Sequence, residues 1–269
     1  MDEANGKRHT RMHLQQKYQS GEKIAVLTCY DATFANVLEN AGIDILLVGD
    51  SLGNVIQGKP NTLSVSLDDM IYHTACVARG TRQAFIIADM PFGTFQVSPR
   101  ETFAHAARLL AAGAQMVKIE GGRNMTETVH FLTSRGIPVC AHIGLTPQSL
   151  HQLGGYRLQG KKMEDAQRLR EDAALLEEAG AALLVMELIP ATLADEITQQ
   201  LSIPTIGIGA SPACSGQVLV LHDMLGIYTG KPPRFIKNFM QDAHSIQAAI
   251  EDYVKAVKSE TFPASEHLF

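Results

Sequence analysis

The stretch "SPRETFAHAARLLAAGAQMVKIEG", residues 98–121, contains in one piece the unit from which this chain is built. Ser98 followed by Pro99 is typical of the first turn of a helix, and Gly113 is typical of its end. The run at 116–121 then predicts a strand covered on both faces, because its apolar character is continuous rather than cleanly alternating. A helix followed by a buried strand is the repeating unit of a parallel α/β sheet.

The same order recurs along the chain. Short apolar, β-branched runs predict eight strands, at residues 23–30, 44–50, 84–90, 116–121, 138–144, 182–189, 204–210 and 217–223. Three of the amphipathic segments end with the same Ala-Gly pair before the next strand, in "NAGID", "AAGAQ" and "EAGAA". Eight units of about 34 residues predict an α/β fold, a (β/α)₈ TIM barrel. We expect a single domain over residues 1–269, with a short N-terminal arm at about 1–20.

The competing fold is a doubly wound open sheet. That fold needs a glycine-rich nucleotide fingerprint at its first strand–helix turn. Here the turn reads "TCYDATFA" (28–35) and has no glycine, whereas the glycine-bearing "GIGASPACSG" (207–216) comes at the seventh strand. A late glycine loop suits the anion-binding corner of a barrel better.

Composition excludes several classes of function. A net charge of −5 argues against a nucleic-acid-binding surface, and no apolar run is long enough to span a membrane. The N-terminal segment lacks the apolar core of a signal peptide. Four widely spaced cysteines, without a CxxC motif, are typical of a reduced, cytoplasmic protein; they are Cys29, Cys76, Cys140 and Cys214.

Polar residues interrupt the apolar runs where the predicted strands end, which is where barrels build their active sites. They are Tyr30, Asp31, Asp50, Ser51, Asp89, Lys118, Glu120, His142 and Glu187. Each one alone is compatible with a structural role: Asp50 as a cap or His142 as a hydrogen-bonded core residue, for example. Together they predict an active site, because four of these carboxylates, with a lysine and a histidine, are costly to bury at one barrel mouth without a function.

Carboxylates in such a site indicate a hard divalent cation. Mg²⁺ prefers oxygen ligands, and Asp50, Asp89 and Glu120 are the candidates. No second histidine or cysteine near them has the spacing of a zinc site. His9 and His13 have a spacing compatible with a metal, but a solvated, frayed N-terminal arm is the interpretation we favour.

Two further residues complete the apparatus for forming an enolate. Lys118 and Glu120 lie two apart in one strand and point to the same face, so the lysine can meet a substrate anion while it offsets carboxylate charge. Glu187, among the apolar residues of "LLVMELIP", suits a general base. A metal, a lysine and a base together can remove a proton next to a carbonyl.

At this point the motifs are those of a known family. The segments "LLVGDSLGNVIQG", "IIADMPFG", "MVKIEGG", "HIGLTPQS", "LLVMELIP" and "FPASEHLF" resemble ketopantoate hydroxymethyltransferases, and the resemblance covers the chain from about residue 18 to 269. It implies a barrel of the phosphoenolpyruvate mutase/isocitrate lyase type in a homo-oligomer, typically a decamer. It also implies transfer of a one-carbon unit from 5,10-methylenetetrahydrofolate to 3-methyl-2-oxobutanoate, giving ketopantoate for pantothenate and coenzyme A biosynthesis.

The resemblance also implies roles for individual residues. Asp50 and Asp89 match ligands of one Mg²⁺ per subunit, and Glu120 joins the surroundings of the metal. Ser51 and Lys118 match residues that bind the substrate, together with the two aspartates. Glu187 matches the proton acceptor.

His142 matches a further active-site histidine. Segment 145–161, which contains Gly154, Gly155 and Gly160, is interpreted equally well as a lid or as an exposed connection. Ser211, Ser215 and "TLSVS" (62–66) depart from the family pattern, but none is a matched catalytic position.

Three other functions stay open. The first is a Mg²⁺-dependent lyase of the same superfamily that cleaves a C–C bond through a 2-oxo acid enolate; such lyases carry a cysteine-bearing loop, for which "LTPQSLHQLGGY" stands here. The second is an aldolase that forms a Schiff base on Lys118. The third is a barrel without catalysis that serves as a scaffold, against which the intact catalytic positions argue.

Overall fold

Eight parallel strands close into a barrel in the computed structural model, which describes residues 8–228 and 230–269. The strands are β1 Ile24–Thr28, β2 Ile45–Val48, β3 Phe85–Asp89, β4 Met116–Glu120, β5 Val139–Gly144, β6 Leu183–Glu187, β7 Thr205–Ile208 and β8 Gly216–Leu219. Each strand pairs with the next one in the sequence, and β8 pairs with β1, so no edge is left open. The predicted (β/α)₈ barrel is confirmed.

Helices separate most of the strands. They are α1 Arg11–Gln19, α2 Ala32–Asn40, α3 Leu52–Val55, α4 Leu67–Gly80, α5 Pro99–Ala111, α6 Thr126–Thr133, α7 Leu150–Leu153, α8 Met163–Glu178, α9 Ala191–Gln200, α10 Leu221–Met224 and α11 Ile246–Lys258. The predicted start of α5 is confirmed, since the Ser98 hydroxyl accepts the backbone N–H of Glu101 at 3.2 Å. Gly113, after the end of this helix, has φ +117°, a conformation that favours glycine.

The alternation of side chains along β4 explains its mixed composition. Val117 and Ile119 point outward into the apolar layer between the sheet and the helices. Met116 points inward and packs with the apolar residues that fill the lower part of the barrel. Lys118 and Glu120 share that inward face, nearer the carboxyl end of the strand. The interior of the barrel is therefore apolar at the amino ends of the strands and charged at the carboxyl ends.

The N-terminal arm differs from the frayed segment that we expected. Residues 11–19 form α1, whose start is held by a capping box between Thr10 and His13. Leu14 on this helix is 1% exposed and packs on the interior residues Ile24 and Phe85. The interpretation as a frayed arm is therefore wrong over 11–19, because α1 closes the amino end of the barrel; residues 1–7 lie outside the described part of the chain.

The last strand is shorter than predicted. The run at 217–223 was expected to be one strand, but β8 ends at Leu219 and the chain turns into α10 at Leu221. The Leu221 N–H donates to the Thr28 hydroxyl at 2.9 Å, which fixes this turn against β1. His222 and Asp223 therefore lie on a helical turn above the barrel rather than in the sheet.

Candidate active site

A cavity of about 600 Å³ opens at the carboxyl ends of the strands. Seven of the nine residues predicted from strand ends line it: Asp50, Ser51, Asp89, Lys118, Glu120, His142 and Glu187. Tyr30 lies directly beneath, with its hydroxyl 2.9 Å from the Ser51 hydroxyl. Asp31 lies elsewhere, because its carboxylate caps α2 by accepting the backbone N–H groups of Thr33 and Phe34.

The register of the sheet brings these side chains together. Asp89 on β3 is opposite Lys118 on β4, and Glu120 is opposite His142 on β5. Glu187 ends β6 opposite Gly144, where no side chain separates it from the neighbouring strand. Because alternate residues point inward, the parallel pairing places these groups around one opening.

Asp50 and Asp89 form a buried pair of acids. The Asp50 backbone N–H donates to Oδ2 of Asp89 at 3.1 Å, and each residue is less than 5% exposed. Burial, together with the nearby charges of Asp89 and Glu120, raises the pKa of Asp50 well above its usual range. The two carboxylates therefore repel each other in the absence of a cation.

Lys118 supplies part of the compensating charge. Its Nζ lies 2.7 Å from Oδ1 of Asp89 and 4.0 Å from Oε1 of Glu120. Burial alone lowers the pKa of this lysine, but the carboxylates of Asp89, Glu120 and Asp50 outweigh it and raise the pKa above its usual value. Lys118 is therefore an ammonium at neutral pH.

His142 lies between two further carboxylates. Its Nε2 is 3.3 Å from Oε2 of Glu187, and its Nδ1 is 3.7 Å from Oε1 of Glu120. Neither nitrogen has hydrogen-bond geometry to these oxygens, so the contacts are chiefly between charges. Burial lowers the pKa of His142, but Glu120 and Glu187 outweigh it and raise the pKa to about 9. The imidazolium of His142 thus faces Glu187, the candidate base.

The carboxylates offer oxygen ligands, which Mg²⁺ prefers. No group of three His, Cys, Asp or Glu side chains within residues 8–228 and 230–269 has the arrangement of a protein-only metal site. Mg²⁺ is commonly held by one or two carboxylates, with water and substrate oxygens completing its shell. Asp50 and Asp89 fit that description, whereas Glu120 already accepts the N–H of Gln148 at 3.0 Å and faces His142.

Two residues of the cavity region were not found by reading strand ends. Gln148 lies in the turn after β5, and its amide donates to Asp50 at 2.9 Å. The quoted motif "HIGLTPQS" contains it, but the letters do not show that it reaches back to β2. Asp223 lines the cavity from α10. Burial raises its pKa to about 6. It ends the predicted strand at 217–223, but the candidates came only from the ends of the first six predicted strands.

Of the departures from the family pattern, Ser211 and Ser215 do not line the cavity, whereas "TLSVS" (62–66) touches it through Thr62. Ser211 bonds to Asp195 and accepts the N–H of Ala213, within the loop between β7 and β8. The Ser215 hydroxyl accepts the N–H of Thr205 at 3.1 Å, at the amino ends of these strands. Both serines therefore bond the loop to its surroundings, Ser211 to α9 and Ser215 to the start of β7.

Among the helices described, none has the length and apolar character needed to cross a lipid bilayer.

Similar folds are found in the phosphoenolpyruvate mutase/isocitrate lyase superfamily. A 2,3-dimethylmalate lyase has TM-score 0.59 and 20% identity over 80% of this chain and 82% of the lyase. A phosphonopyruvate hydrolase in complex with oxalate and Mg²⁺ has TM-score 0.61 and 15% identity over 79% of this chain and 81% of the hydrolase. At these identities the likeness shows the type of barrel, as predicted.

Sequence comparison is more specific. The profile of a family described as ketopantoate hydroxymethyltransferase matches residues 8–265. A 3-methyl-2-oxobutanoate hydroxymethyltransferase from Nitrosomonas europaea is 71% identical over 269 residues, which is 100% of both chains. One from Azoarcus is 60% identical over 97% of this chain and 96% of its own length. The chain therefore belongs to the ketopantoate hydroxymethyltransferase family and is an enzyme of that class.

Proposed function

We propose that this enzyme transfers a one-carbon unit from 5,10-methylenetetrahydrofolate to 3-methyl-2-oxobutanoate, giving ketopantoate, through a Mg²⁺-assisted enolate of the 2-oxo acid. The observation that carries the proposal is the geometry of the cavity. A carboxylate on β6 lines the same opening as an acid pair and an ammonium, which lie just after β2, on β3 and on β4. This arrangement suits removal of a proton beside a chelated carbonyl.

The acid side of the cavity would hold the metal and the head of the substrate. Asp50 and Asp89 supply carboxylate oxygens, and Mg²⁺, when bound there, would polarise the 2-oxo group and acidify the neighbouring C–H bond. Lys118 presents a fixed positive charge to the substrate carboxylate, because three carboxylates keep it protonated. The Ser51 hydroxyl, held by Tyr30, is placed to donate to the same carboxylate.

Glu187 would take the proton from C3 of the substrate. Its side chain is 14% exposed toward the cavity, so it is accessible to a substrate but poorly solvated. His142 lies 3.3 Å from the Glu187 carboxylate with its own pKa raised to about 9, so a positively charged imidazolium faces the base. A glutamate at this position can act as the proton acceptor.

The folate would occupy the outer part of the cavity. A five-carbon acid fills only a fraction of about 600 Å³. The remaining wall carries aromatic and apolar side chains with one carboxylate and one guanidinium; they include Tyr156, Leu158, Phe235, Phe269, Asp223 and Arg234. Such a surface suits a flat heterocycle with polar edges.

The test is proton exchange at C3 of 3-methyl-2-oxobutanoate in D₂O, followed by NMR without folate. We expect exchange that requires Mg²⁺, stops with EDTA and is lost in Glu187→Gln. Glu196→Gln is the control, because that residue is exposed on α9 and pairs with Arg170. Exchange that appears only after tetrahydrofolate is added would mean that folate binds first. No exchange in any of these conditions would overturn the proposal.

The rival functions make different predictions. A Schiff base on Lys118 needs a neutral amine, and the surrounding carboxylates disfavour that form. A lyase would perform the same exchange but would cleave a larger 2-oxo acid rather than consume methylenetetrahydrofolate. A scaffold without catalysis would exchange no proton. Product analysis with folate therefore separates the proposal from all three.

A further inference from the structure

We infer that Gln148 is a positioning residue for the metal-binding acids: its side-chain amide orients Asp50, and its backbone N–H orients Glu120. The inference rests on the Mg²⁺ site of the proposed function. It concerns a residue of the turn after β5, which touches the acids rather than the reacting atoms.

Gln148 is buried against the carboxyl ends of three strands at the barrel mouth. It is 5% exposed and lies in the short turn Pro147–Ser149. Its Nε2 is 2.9 Å from Oδ2 of Asp50 and 2.9 Å from the carbonyl oxygen of Met90. Its backbone N–H donates to Oε2 of Glu120 at 3.0 Å. One residue therefore ties together the ends of β2, β3 and β4.

The orientation of the amide follows from its neighbours. Both groups near Nε2 are acceptors, so a flipped amide would place its oxygen against a carboxylate and a carbonyl. On the other side, Oε1 of Gln148 faces Nε2 of Gln96 at 3.4 Å. The Gln96 oxygen accepts the N–H of Gly93 at 2.8 Å, which fixes Gln96 in turn. The donor of Gln148 therefore points at Asp50.

The Gln148 amide can orient Asp50 without cancelling its negative charge, whereas a lysine or an arginine at position 148 would cancel it. It holds one oxygen of Asp50, and no donor from the described part of the chain reaches the other oxygen, Oδ1. The amide of Gln148 is neutral, so this contact adds no positive charge beside the carboxylate. Asp50 is thus held in one orientation with an oxygen and most of its charge available to an incoming cation. A ligand held in this way needs less ordering when the metal binds.

The connection also gives part of segment 145–161 a role. Its first residues are anchored to the acids through Gln148, whereas much of its remainder, such as Tyr156, is exposed at the mouth of the cavity. Any movement of the later part would begin from this fixed point.

The test is metal binding by Gln148→Met without substrate. Methionine has a similar length and packs in the same space, but it lacks the amide donor, and the backbone N–H to Glu120 is kept. Titration calorimetry with Mg²⁺, and electron paramagnetic resonance of bound Mn²⁺, report the site independently of activity. We expect the Kd for Mg²⁺ to rise about 10-fold to 100-fold.

Gln217→Met is the matched control. Gln217 is also a buried glutamine, but its amide donates to the carbonyl of Ser211 at 2.8 Å, outside the cavity. The Gln217→Met variant should have an altered thermal stability, and its Kd for Mg²⁺ should stay at the wild-type value.

A wild-type Kd in Gln148→Met would overturn the inference. If that variant does not fold, Gln96→Met tests the same chain of hydrogen bonds one step away, and it should weaken Mg²⁺ binding about threefold; an unchanged Kd there would count against Gln148. Wild-type protein that binds no Mg²⁺ would instead remove the metal from the proposed function, so the two failures are distinguishable.

Discussion

Strand β2 carries a buried aspartate at each end, and the two have opposite surroundings. Asp44 precedes the strand and Asp50 follows it, and both are 4% exposed. Asp44 accepts the Ala25 N–H at 2.8 Å and lies 2.6 Å from Nζ of Lys258 and 3.2 Å from Nζ of Lys17. Asp50 has one amide donor and two carboxylate neighbours. Two equally buried aspartates thus differ in charge compensation: cations surround one, and other carboxylates surround the second.

The difference in charge compensation between Asp44 and Asp50 extends to the two ends of the whole barrel. At the amino end, Leu14 closes the interior and the buried acid is matched by cations. At the carboxyl end, five carboxylates share the cavity with Lys118, His142 and the exposed Arg234; they are Asp50, Asp89, Glu120, Glu187 and Asp223. An excess of buried negative charge costs folding free energy unless a ligand compensates it, and such a cost is typical of functional sites.

Exchanging the two aspartates for asparagine gives the largest expected contrast. Asp50→Asn should lower activity about a thousandfold, because it removes a charged oxygen ligand, while the metal-free protein becomes more stable as repulsion is relieved. Asp44→Asn should keep its kcat but lose about 2 kcal/mol of unfolding free energy, since two ammonium groups lose their partner. Turnover assays and urea unfolding measure both. If Asp50→Asn kept full activity, our assignment of the acid pair would be wrong.

Leu14→Ala should affect only the amino end. Removing a fully buried leucine side chain from the closed end of the barrel should cost about 3 kcal/mol of unfolding free energy. The cavity is at the other end of the strands, so kcat and KM should stay at their wild-type values when the protein is folded. Leu175→Ala, at a 38% exposed position on α8, is the control and should cost much less. A large fall in kcat in Leu14→Ala would show that the two ends are coupled.

The two ends should also differ in the sign of their pH dependence. At the amino end, Glu39 accepts the hydroxyl of Thr81 and the backbone N–H groups of Arg82, Gln83 and Ala84. Burial raises the pKa of Glu39, but these hydrogen bonds outweigh it and lower the pKa below its ordinary 4.5. A lowered pKa stabilises the fold above pH 4.5, and this stabilisation is lost as the pH falls through the folded-state value. Glu39→Gln should therefore destabilise the protein at neutral pH and have little effect at low pH.

Asp223 at the carboxyl end should behave in the opposite way. Burial raises its pKa from 3.8 to about 6, so ionisation costs more in the folded than in the unfolded protein. That cost is absent below pH 3.8 and grows until about pH 6. Asp223→Asn should raise the Tm at pH 8 and leave it unchanged near pH 3.5. The measurement is the difference in Tm between each variant, Glu39→Gln or Asp223→Asn, and the wild type as a function of pH. If both differences changed with pH in the same direction, the contrast between the two ends of the barrel would be contradicted.

The smallest effect is expected on the outer surface. Arg108 and Asp68 form an ion pair of 2.6 Å, with side chains 54% and 81% exposed. Solvent screens such pairs, so Arg108→Ala should change the unfolding free energy by less than about 0.5 kcal/mol and leave activity unchanged. Urea unfolding of this variant sets the baseline for the others. A loss as large as that of Asp44→Asn would mean that burial is not what distinguishes the ends.

Reading strand ends predicted much of the candidate site because barrel geometry is regular. Once strands are parallel and alternate residues point inward, residues such as Asp89 and Lys118 must come together, as their register shows. Gln148 could not be found in this way, because it approaches from a turn whose path depends on packing. The folate donor, the magnesium ion, the homo-oligomer and the cytoplasmic location remain predictions.

The sequence by itself determined the order of strands and helices, the closed barrel that this order favours and the kinds of side chain at its mouth. These follow from local periodicity and from the short connections between elements. Only the tertiary structure decided which buried charge has a partner. Asp44 and Asp50 flank one apolar run in "DILLVGD", and nothing local distinguishes them. Lys258 reaches Asp44 across 214 positions of sequence, because β8 pairs with β1 and α11 packs on β1 beside it. Charge compensation depends on distance in space, which the chain acquires only when the barrel closes.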